Sequence, residues 1–365
     1  MTINQIIMYF MAFGVLLGGT DRILGNRFEF GEKFENGFRL LGPIGLSMAG
    51  IICLSSLLSS LMGKVVVPLS GLMGIDPSIF GSILSIDMGG YQLALDLAVD
   101  PQLGRFAAVI VSSIFGCTIV FTIPVGLGTI GVSDRPYFTK GILLGLTAMP
   151  VAILAGGLVF GLSLWDTFWN SFPILLISLL LFIGIIKKPD TMMRVFQAAA
   201  RLIQIIATTG LTLAAIRHIS GIAILKGMSP LMDAMQTVCS IGIVMLGSMP
   251  LAELIQRLMK IPFAWIQKRT GMNSVSTTAL LLGMISITPA LAMIPEMDKR
   301  GKVVCSAYLV CGASAFAAHL AFTMTNQPDM VSALLSAKLL GGVLGASVAL
   351  FATRDLKQPS VSSPA

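Results

Sequence analysis

The strongest candidate for chemistry in this sequence is Asp87, which interrupts the apolar stretch 75–98. A carboxylate at membrane depth is costly unless it is paired, so acidic residues in such stretches are candidates for a functional role. The two glycines that follow let a ligand approach the backbone, and a nearby tyrosine ring offers a surface for a cation. This pattern predicts a cradle for an ammonium group, although Asp87 as a helix cap alone is the competing interpretation. The residues expected to form the cradle are Asp87, Met88, Gly89, Gly90, Tyr91 and Gln92.

Hydroxyl groups provide weaker candidates in other apolar stretches. Ser286 and Thr288 lie beside Pro289, near the middle of the stretch 271–297, and offer hydrogen bonds without charge. Their alternative role is to bond the backbone of their own helix. Further candidates occur in the helices expected after the two interrupted stretches, namely Thr118, Thr122, Ser314 and His319.

Two basic side chains have competing interpretations. His319 is the histidine placed deep in an apolar run, where it is either a satisfied core residue or a polar cavity residue that carries protons. Lys338 lies just inside the last apolar run, and we expect its ammonium to extend outward to the membrane interface, with pairing to an acid across the protein as the alternative.

Patterns typical of enzymes and metal sites are absent from the sequence. It contains no P-loop, and its His, Cys, Asp and Glu residues do not show the spacing of metal ligands. The five cysteines fall inside or beside apolar segments and are interpreted as small buried residues. We therefore expect no cofactor, no bound metal and no enzymatic activity.

The composition indicates a membrane protein. Of the 365 residues, 55% are hydrophobic and 11% are charged, and the mean hydropathy is +0.89. Soluble domains carry about 25% charged residues. The net charge of +7 does not indicate nucleic-acid binding, because Lys and Arg occur in short clusters between apolar runs, as in cytoplasmic loops. We expect a multi-pass protein of the cell inner membrane, in contact with membrane lipid.

Nine apolar runs are long enough to cross a bilayer, which takes about 20 residues. They are 3–22, 39–62, 104–131, 139–164, 169–187, 199–222, 232–258, 302–325 and 329–352. The stretches 75–98 and 271–297 are interrupted and are expected to form re-entrant helical hairpins. With nine spans, 19 of the 24 Lys and Arg residues fall on one side, whereas eleven spans would divide them 12 and 12. Because cytoplasmic loops carry the excess of basic residues, we predict nine spans, an outside N-terminus and a cytoplasmic C-terminus.

An internal repeat is consistent with this topology. At an offset of 197 residues, Gly50 aligns with Gly247, and Gly104 aligns with Gly301. The predicted fold is an all-α polytopic membrane protein with an inverted repeat, whose two hairpin tips meet at the midplane as in transporters. The predicted divisions are a first repeat (1–164), a linking helix (165–198), a second repeat (199–353) and a cytoplasmic tail (354–365).

Several blocks, in order along most of the chain, carry a resemblance to a known family. They are residues 3–9, 21–24, 87–90, 118–125, 133–135 and 319–323. These blocks resemble the bacterial ethanolamine-utilisation permeases of the inner membrane. The resemblance implies uptake of ethanolamine, which would supply a cobalamin-dependent ammonia-lyase pathway housed in a microcompartment.

The predicted function is therefore uptake of ethanolamine as its protonated amine, by a facilitator or secondary carrier with a site at the two hairpin tips. One alternative is an ion-coupled carrier of another small amine or of a nucleoside-like solute. Another is a membrane sensor or scaffold that transports nothing. By analogy with other hairpin carriers, we also expect a homodimer.

Overall fold

The computed structural model describes residues 3–356, which form helices joined by turns and loops. Residues 357–365, which hold most of the predicted cytoplasmic tail, lie outside the described residues, as do the side chains of Ile3, Asn4, Asp87, Pro189, Asp190, Met193, Lys260 and Ala264. The α-helices are α1 (Ile3–Ile23), α2 (Phe30–Arg39), α3 (Leu41–Met73), α4 (Ser78–Gly81), α5 (Gly90–Leu97), α6 (Pro101–Phe106), α7 (Ile123–Thr129), α8 (Arg135–Phe160), α9 (Leu164–Lys187), α10 (Pro189–Ser220), α11 (Leu231–Thr270), α12 (Ser274–Gly283), α13 (Ile287–Ala292), α14 (Lys299–Gly312), α15 (Ala318–Asn326) and α16 (Val331–Ala352). Two π-helical stretches, Ala107–Gly116 and Thr118–Thr122, connect α6 to α7 in one long helix.

Eight helices among the described residues are long and apolar enough to cross a membrane, and they coincide with eight of the nine predicted runs. The ninth run, 302–325, is broken between α14 and α15. Ser314 adopts a left-handed conformation with φ of 55°, and N–H groups in the break bond to another segment instead of to the preceding turn. The prediction of a continuous helix there was wrong, because these non-local hydrogen bonds replace the helical ones.

One group of helices, formed by α1, α2, α3, α10 and α11, packs through close backbone contacts at glycines. A Cβ atom on Gly14 of α1 would overlap the carbonyl oxygen of Gly247 in α11. Likewise, a Cβ atom on Gly210 of α10 would overlap the carbonyl oxygen of Gly50 in α3. Small residues allow membrane helices this close approach. Gly50 and Gly247 are aligned at the offset of 197 residues. The contact of α3 with α10 therefore repeats the contact of α11 with α1, and we call such paired contacts reciprocal.

A second group contains α8, α14, α16 and the π-helical stretch, and it holds most of the buried core. All ten residues of Ala107–Gly116 are buried. A Cβ atom on Gly145 would lie 2.5 Å from the carbonyl oxygen of Ala307, and one on Gly345 would lie 2.9 Å from the same oxygen. This closely packed group supports both interrupted stretches, because α5 packs on the π-helical stretch and α12 packs on α14.

Each interrupted stretch folds into two short helices that pack on one another. We name them the first broken segment (residues 75–98, with α4 and α5) and the second broken segment (residues 271–297, with α12 and α13). In the first, the Asp76 carboxylate accepts the N–H groups of Val99 at 3.0 Å and of Asp100 at 2.8 Å. In the second, the Asp298 carboxylate accepts the N–H of Asn273 at 2.9 Å. The chain therefore leaves each segment close to the point where it entered.

Ion pairs connect the N-terminal half of the chain, before α9, with the C-terminal half after it. Arg105, near the start of the long helix Pro101–Thr129, pairs with Asp329, which precedes α16. Lys302 at the start of α14 pairs with Asp134, which precedes α8. Arg105 and Lys302 are aligned at the offset of 197 residues, so these pairs are reciprocal in the same way as the glycine contacts.

Candidate functional site

A cavity of about 510 Å³ opens where the second broken segment meets the break between α14 and α15, and we name it cavity A. Residues from α2, α3, α11 and the long helix Pro101–Thr129 complete its wall. Four of the residues singled out in the sequence come together there, namely Ser286, Thr288, Ser314 and His319. The structure thus gathers the polar candidates of the C-terminal half in one place.

Part of the wall of cavity A consists of non-helical backbone. The N–H of Ser314 donates to the carbonyl of Gly283 at 3.0 Å, and the N–H of Phe316 donates to the carbonyl of Met284 at 2.9 Å. These bonds tie the α14–α15 break to the turn of the second broken segment. Irregular backbone at membrane depth is tolerated where it is buried in protein or lines a cavity, and interrupted helices present partial charges at their ends. The mostly apolar wall of cavity A therefore also contains polar side chains and backbone groups.

The described residues that line cavity A include one fixed positive charge, Arg39, and no carboxylate. The Arg39 guanidinium forms an ion pair with Glu35 at 3.0 Å. The turn Ile86–Met88, which contains Asp87, packs against α15, the helix that begins beside His319. Within the described residues, no group of three or more His, Cys, Asp or Glu side chains could hold a metal ion. An ammonium ligand in cavity A would have to obtain a counter-charge from outside this described lining.

Met88 lines a second and larger space of about 1000 Å³, which we name cavity B. Its wall comes from α3, α7, α10 and the π-helical stretch Thr118–Thr122, and α10 contributes exposed polar side chains such as Gln204 and Thr208. Phe121 and Pro43 line both cavities. The Phe121 side chain is therefore part of the wall that separates the two cavities.

Packing within the protein explains why Gly89 and Gly90 lack side chains. Gly89 has a φ of 87°, and a Cβ atom on it would overlap the side chain of Ile51. A Cβ atom on Gly90 would overlap the carbonyl oxygen of Leu84, which accepts a hydrogen bond from the Ser112 hydroxyl at 2.6 Å. The glycine pair lets other parts of the protein approach this turn closely.

Tyr91 and Gln92 both bond to protein partners. The Tyr91 hydroxyl accepts a hydrogen bond from the Gln327 amide at 2.9 Å, and its ring packs edge-on against Phe322 at 5.0 Å. The Gln92 amide donates to Asp96 at 2.7 Å. Neither Tyr91 nor Gln92 is in the lining of cavity A or cavity B. Tyr91 therefore attaches the first broken segment to α15.

Thr118 and Thr122 are fully buried and lie outside the lining of both cavities. The Thr118 hydroxyl lies 2.7 Å from the carbonyl oxygen of Ile114 and 2.8 Å from that of Val310 in α14. The Thr122 hydroxyl donates to the carbonyl of Cys117 at 3.4 Å. Thr118 therefore links the long helix of the N-terminal half to the broken helix of the C-terminal half.

Lys338 is buried, so the prediction that its ammonium extends to the interface was wrong. Only 1% of the residue is exposed, and the ammonium donates to the carbonyl oxygens of Ser113 at 3.0 Å and Ala313 at 2.7 Å. The carbonyl of Ala313 is available because α14 has ended. The position of Lys338 along its own helix does not report that carbonyl groups of other helices receive its ammonium.

Sequence reasoning missed several residues that line cavity A. Phe121 lies between two threonines that were singled out, so its place in the chain was a usable signal. Arg39 from α2, and Met245 and Met249 from α11, gave no such signal, because the rotation of a helix relative to a cavity is a property of the tertiary structure.

Comparisons with known proteins agree with the family resemblance. A family model described as "Ethanolamine utilisation protein, EutH" matches residues 3–352. The "Probable ethanolamine permease EutH" of Listeria monocytogenes serotype 1/2a (strain 10403S) is 37% identical over 360 residues, which cover 98% of this chain and 96% of that relative. The protein of the same name from Escherichia coli (strain K12) is 33% identical over 389 residues, which cover 96% of this chain and 95% of that relative.

A third relative, "Uncharacterized protein YxeR" of Bacillus subtilis (strain 168), is 36% identical over 354 residues, which cover 97% of this chain and 96% of the relative. No solved structure matches the chain. All eight candidate membrane spans lie within the region matched by the family model. The chain is therefore a multi-pass membrane protein that belongs to the ethanolamine utilisation protein EutH family.

Proposed function

We propose that this protein carries ethanolamine, in its protonated form, into the cell across the inner membrane. The observation that carries the proposal is cavity A, where the second broken segment meets the α14–α15 break beside the helix that contacts the turn of Asp87. Relatives that are 37% and 33% identical are named probable ethanolamine permeases. The proposed mechanism is that of a facilitator or secondary carrier with its site between the two broken segments.

The chemistry of the solute explains both the need for a carrier and the groups that it requires. A primary amine with a pKa near that of lysine, about 10, is almost wholly protonated at neutral pH. Its ammonium needs an anion in an apolar surrounding, and its alcohol needs a neutral hydrogen-bond partner. We assign the first role to Asp87 and the second to the hydroxyls of Ser286, Thr288 and Ser314.

The reciprocal glycine contacts and ion pairs support an inverted repeat. In both sets, a contact between two elements, one from each half, is repeated between the two elements that align with them. Such exchange is expected when a pseudo-two-fold axis relates the two halves. The single helix α9 lies between them, so halves with an even number of spans would have opposite orientations. We propose the repeats to be 1–164 and 199–353, joined by 165–198.

The short helices support re-entrant segments. The longest helices of the two broken segments, α5 and α12, have 8 and 10 residues, whereas about 20 residues are needed to cross a bilayer. Since the ends of each segment meet, we propose that each enters and leaves on one side, with α14 and α15 together forming the ninth span. This topology places 19 of the 24 Lys and Arg residues in the cytoplasm, with the N-terminus outside and the C-terminus inside.

Uptake of labelled ethanolamine into vesicles that contain the purified protein tests the proposal, at acidic and at neutral external pH. The variant to compare is Asp87→Asn, with Asp96→Asn as its matched control, because the Asp96 carboxylate is exposed and bonded to Gln92. We expect saturable uptake that exceeds empty vesicles most clearly at acidic pH. Losing one member of a desolvated charge pair costs about 3 kcal/mol, so uptake by Asp87→Asn should fall roughly a hundredfold. Asp96→Asn should retain uptake.

Other outcomes would change the proposal in distinct ways. Undiminished uptake by Asp87→Asn would keep the carrier and assign Asp87 to helix capping. Absence of uptake by folded wild-type protein would contradict the assignment of ethanolamine. Inhibition of labelled uptake by other amines or by nucleosides, measured in the same vesicles, would show how narrowly cavity A selects its solute.

A further inference from the structure

The ammonium of Lys338 lies at a junction of interrupted helices. It donates to the carbonyl oxygens of Ala313 at 2.7 Å, Ser113 at 3.0 Å and Cys311 at 3.4 Å. Two of these oxygens belong to the end of α14 and one to the π-helical stretch of the other half. The residue is 1% exposed. The partners of this buried cation thus include backbone oxygens from both halves of the protein.

This arrangement has the composition of an alkali-cation site. In carriers built from broken helices, unwound backbone carbonyls and the C-terminal ends of half-helices coordinate the coupling cation. The end of α14 at Gly312 provides such a C-terminal end, where the helix dipole is negative and favours a cation. An ammonium group is close in size to a potassium ion and is attracted by the same oxygens. In this chain the cation is covalently attached to α16.

We propose that Lys338 supplies a tethered cation in the place that a dissociable coupling ion would occupy, so that the carrier works without sodium or potassium. The inference rests on the proposed function for its meaning in transport, although the cation site itself can be tested without any substrate. A tethered ammonium neutralises the carbonyl oxygens permanently and cannot leave with the solute. The gradient of the protonated amine, and not an alkali-ion gradient, would then drive uptake.

The position of Thr118 is consistent with this inference. Its hydroxyl lies 2.8 Å from the carbonyl oxygen of Val310, which precedes Cys311 on the same helix. The two halves are therefore held together beside the Lys338 ammonium. A fixed distance between the oxygen donors is required if removing the tethered cation is to leave a site that a free ion can fill.

The first experiment measures thermal unfolding of the purified protein in detergent, with increasing KCl or NaCl and with tetramethylammonium chloride as the ionic-strength control. We expect Lys338→Ala to unfold several degrees below wild type and to regain stability saturably with potassium or sodium. Lys338→Met, which fills the space of the stem without charge, should be destabilised and unresponsive. Wild type and Lys64→Ala, which changes an exposed lysine of α3, should show no saturable response to either ion. If Lys338→Ala responds equally to all three salts, or is as stable as wild type, the inference is overturned.

The second experiment needs no variant at Lys338 and decides the matter if Lys338→Ala does not fold. Uptake of labelled ethanolamine by wild-type vesicles is measured in sodium, potassium and tetramethylammonium media. Equal rates are expected, and a rate that depends on sodium or potassium would overturn the inference. Absence of uptake in every medium would contradict the proposed function instead, and the unfolding experiment would still decide whether Lys338 fills a cation site.

Discussion

The two broken segments share one architecture but differ at their tips. In the first, the carbonyl of Leu84 is covered by Gly90 and by the Ser112 hydroxyl, and the continuous long helix packs over the turn. In the second, Ser286 and Thr288 line cavity A because the helix that follows is itself broken at residues 313–317. One backbone design thus presents an acid-bearing turn that borders cavity B in one half and a hydroxyl-lined turn that borders cavity A in the other.

The ion pairs at the starts of the following helices differ in a similar way. The side chains of Lys302 and Asp134 are only 9% and 12% exposed, whereas those of Arg105 and Asp329 are 28% and 59% exposed. Arg105 and Lys302, which are aligned, therefore each pair with an aspartate, but the two pairs differ in burial. Burial, and not the presence of the pair, should decide how much each contributes to stability.

The largest expected effect is the difference between Asp134→Asn and Asp329→Asn. Asp134→Asn leaves the Lys302 ammonium buried beside a neutral partner, which should cost about 3 kcal/mol. Asp329→Asn should cost less than about 1 kcal/mol, because its pair is exposed. Thermal midpoints of the detergent-solubilised variants measure the difference. Equal losses of stability would show that the two ion pairs contribute equally in spite of their different burial.

A second prediction concerns the contacts where the halves are reciprocal. Gly50→Ala and Gly247→Ala each place a Cβ atom against backbone of the opposite half, and each should destabilise the protein by about 1–3 kcal/mol. Gly71→Ala in α3, where a Cβ atom would meet open space, is the control and should cause no loss. Thermal midpoints are again the measurement. A large effect at one glycine and none at the other would contradict the reciprocal arrangement.

A third prediction tests the open tip of the second broken segment. Ser286→Ala and Thr288→Val should each raise the KM for ethanolamine uptake by roughly fivefold, which corresponds to one hydrogen bond of about 1 kcal/mol. Thr278→Val changes an exposed threonine of α12 outside cavity A and should leave KM unchanged. Initial uptake rates over a range of concentrations give these values. Unchanged KM in both cavity variants would remove these hydroxyls from the binding site.

The smallest effect is expected at Tyr91 of the first broken segment. Tyr91→Phe removes the hydroxyl that accepts from Gln327 and should lower stability by about 1 kcal/mol or less. The KM should not change, because Tyr91 lies outside the lining of both cavities. Tyr9→Phe, at an exposed position of α1, is the control for both measurements. A raised KM in Tyr91→Phe would place this ring in contact with the solute.

The amino-acid sequence was sufficient to predict a helical protein that spans a membrane several times, because apolar runs of this length are stable in a membrane as helices. It also located the interruptions near residue 88 and near residue 288, since glycine and proline act locally on the backbone. The alignment at an offset of 197 residues anticipated Gly50 and Gly247, which the structure then places in reciprocal contacts. Four polar residues of the C-terminal half that the sequence singled out line one cavity, and their role in binding stays a prediction.

Which side chains face a cavity and which face the protein depends on how the helices pack. The break at residues 313–317 depends on hydrogen bonds from Ser314 and Phe316 to a segment about 30 residues away in sequence, and hydropathy does not report such bonds. Lys338 is buried because carbonyl groups from two other helices receive its ammonium. The Thr118 hydroxyl is directed to α14 by the rotation of its helix. Each outcome results from distant backbone groups that need partners in an environment without water, and a local pattern of residues does not specify those partners.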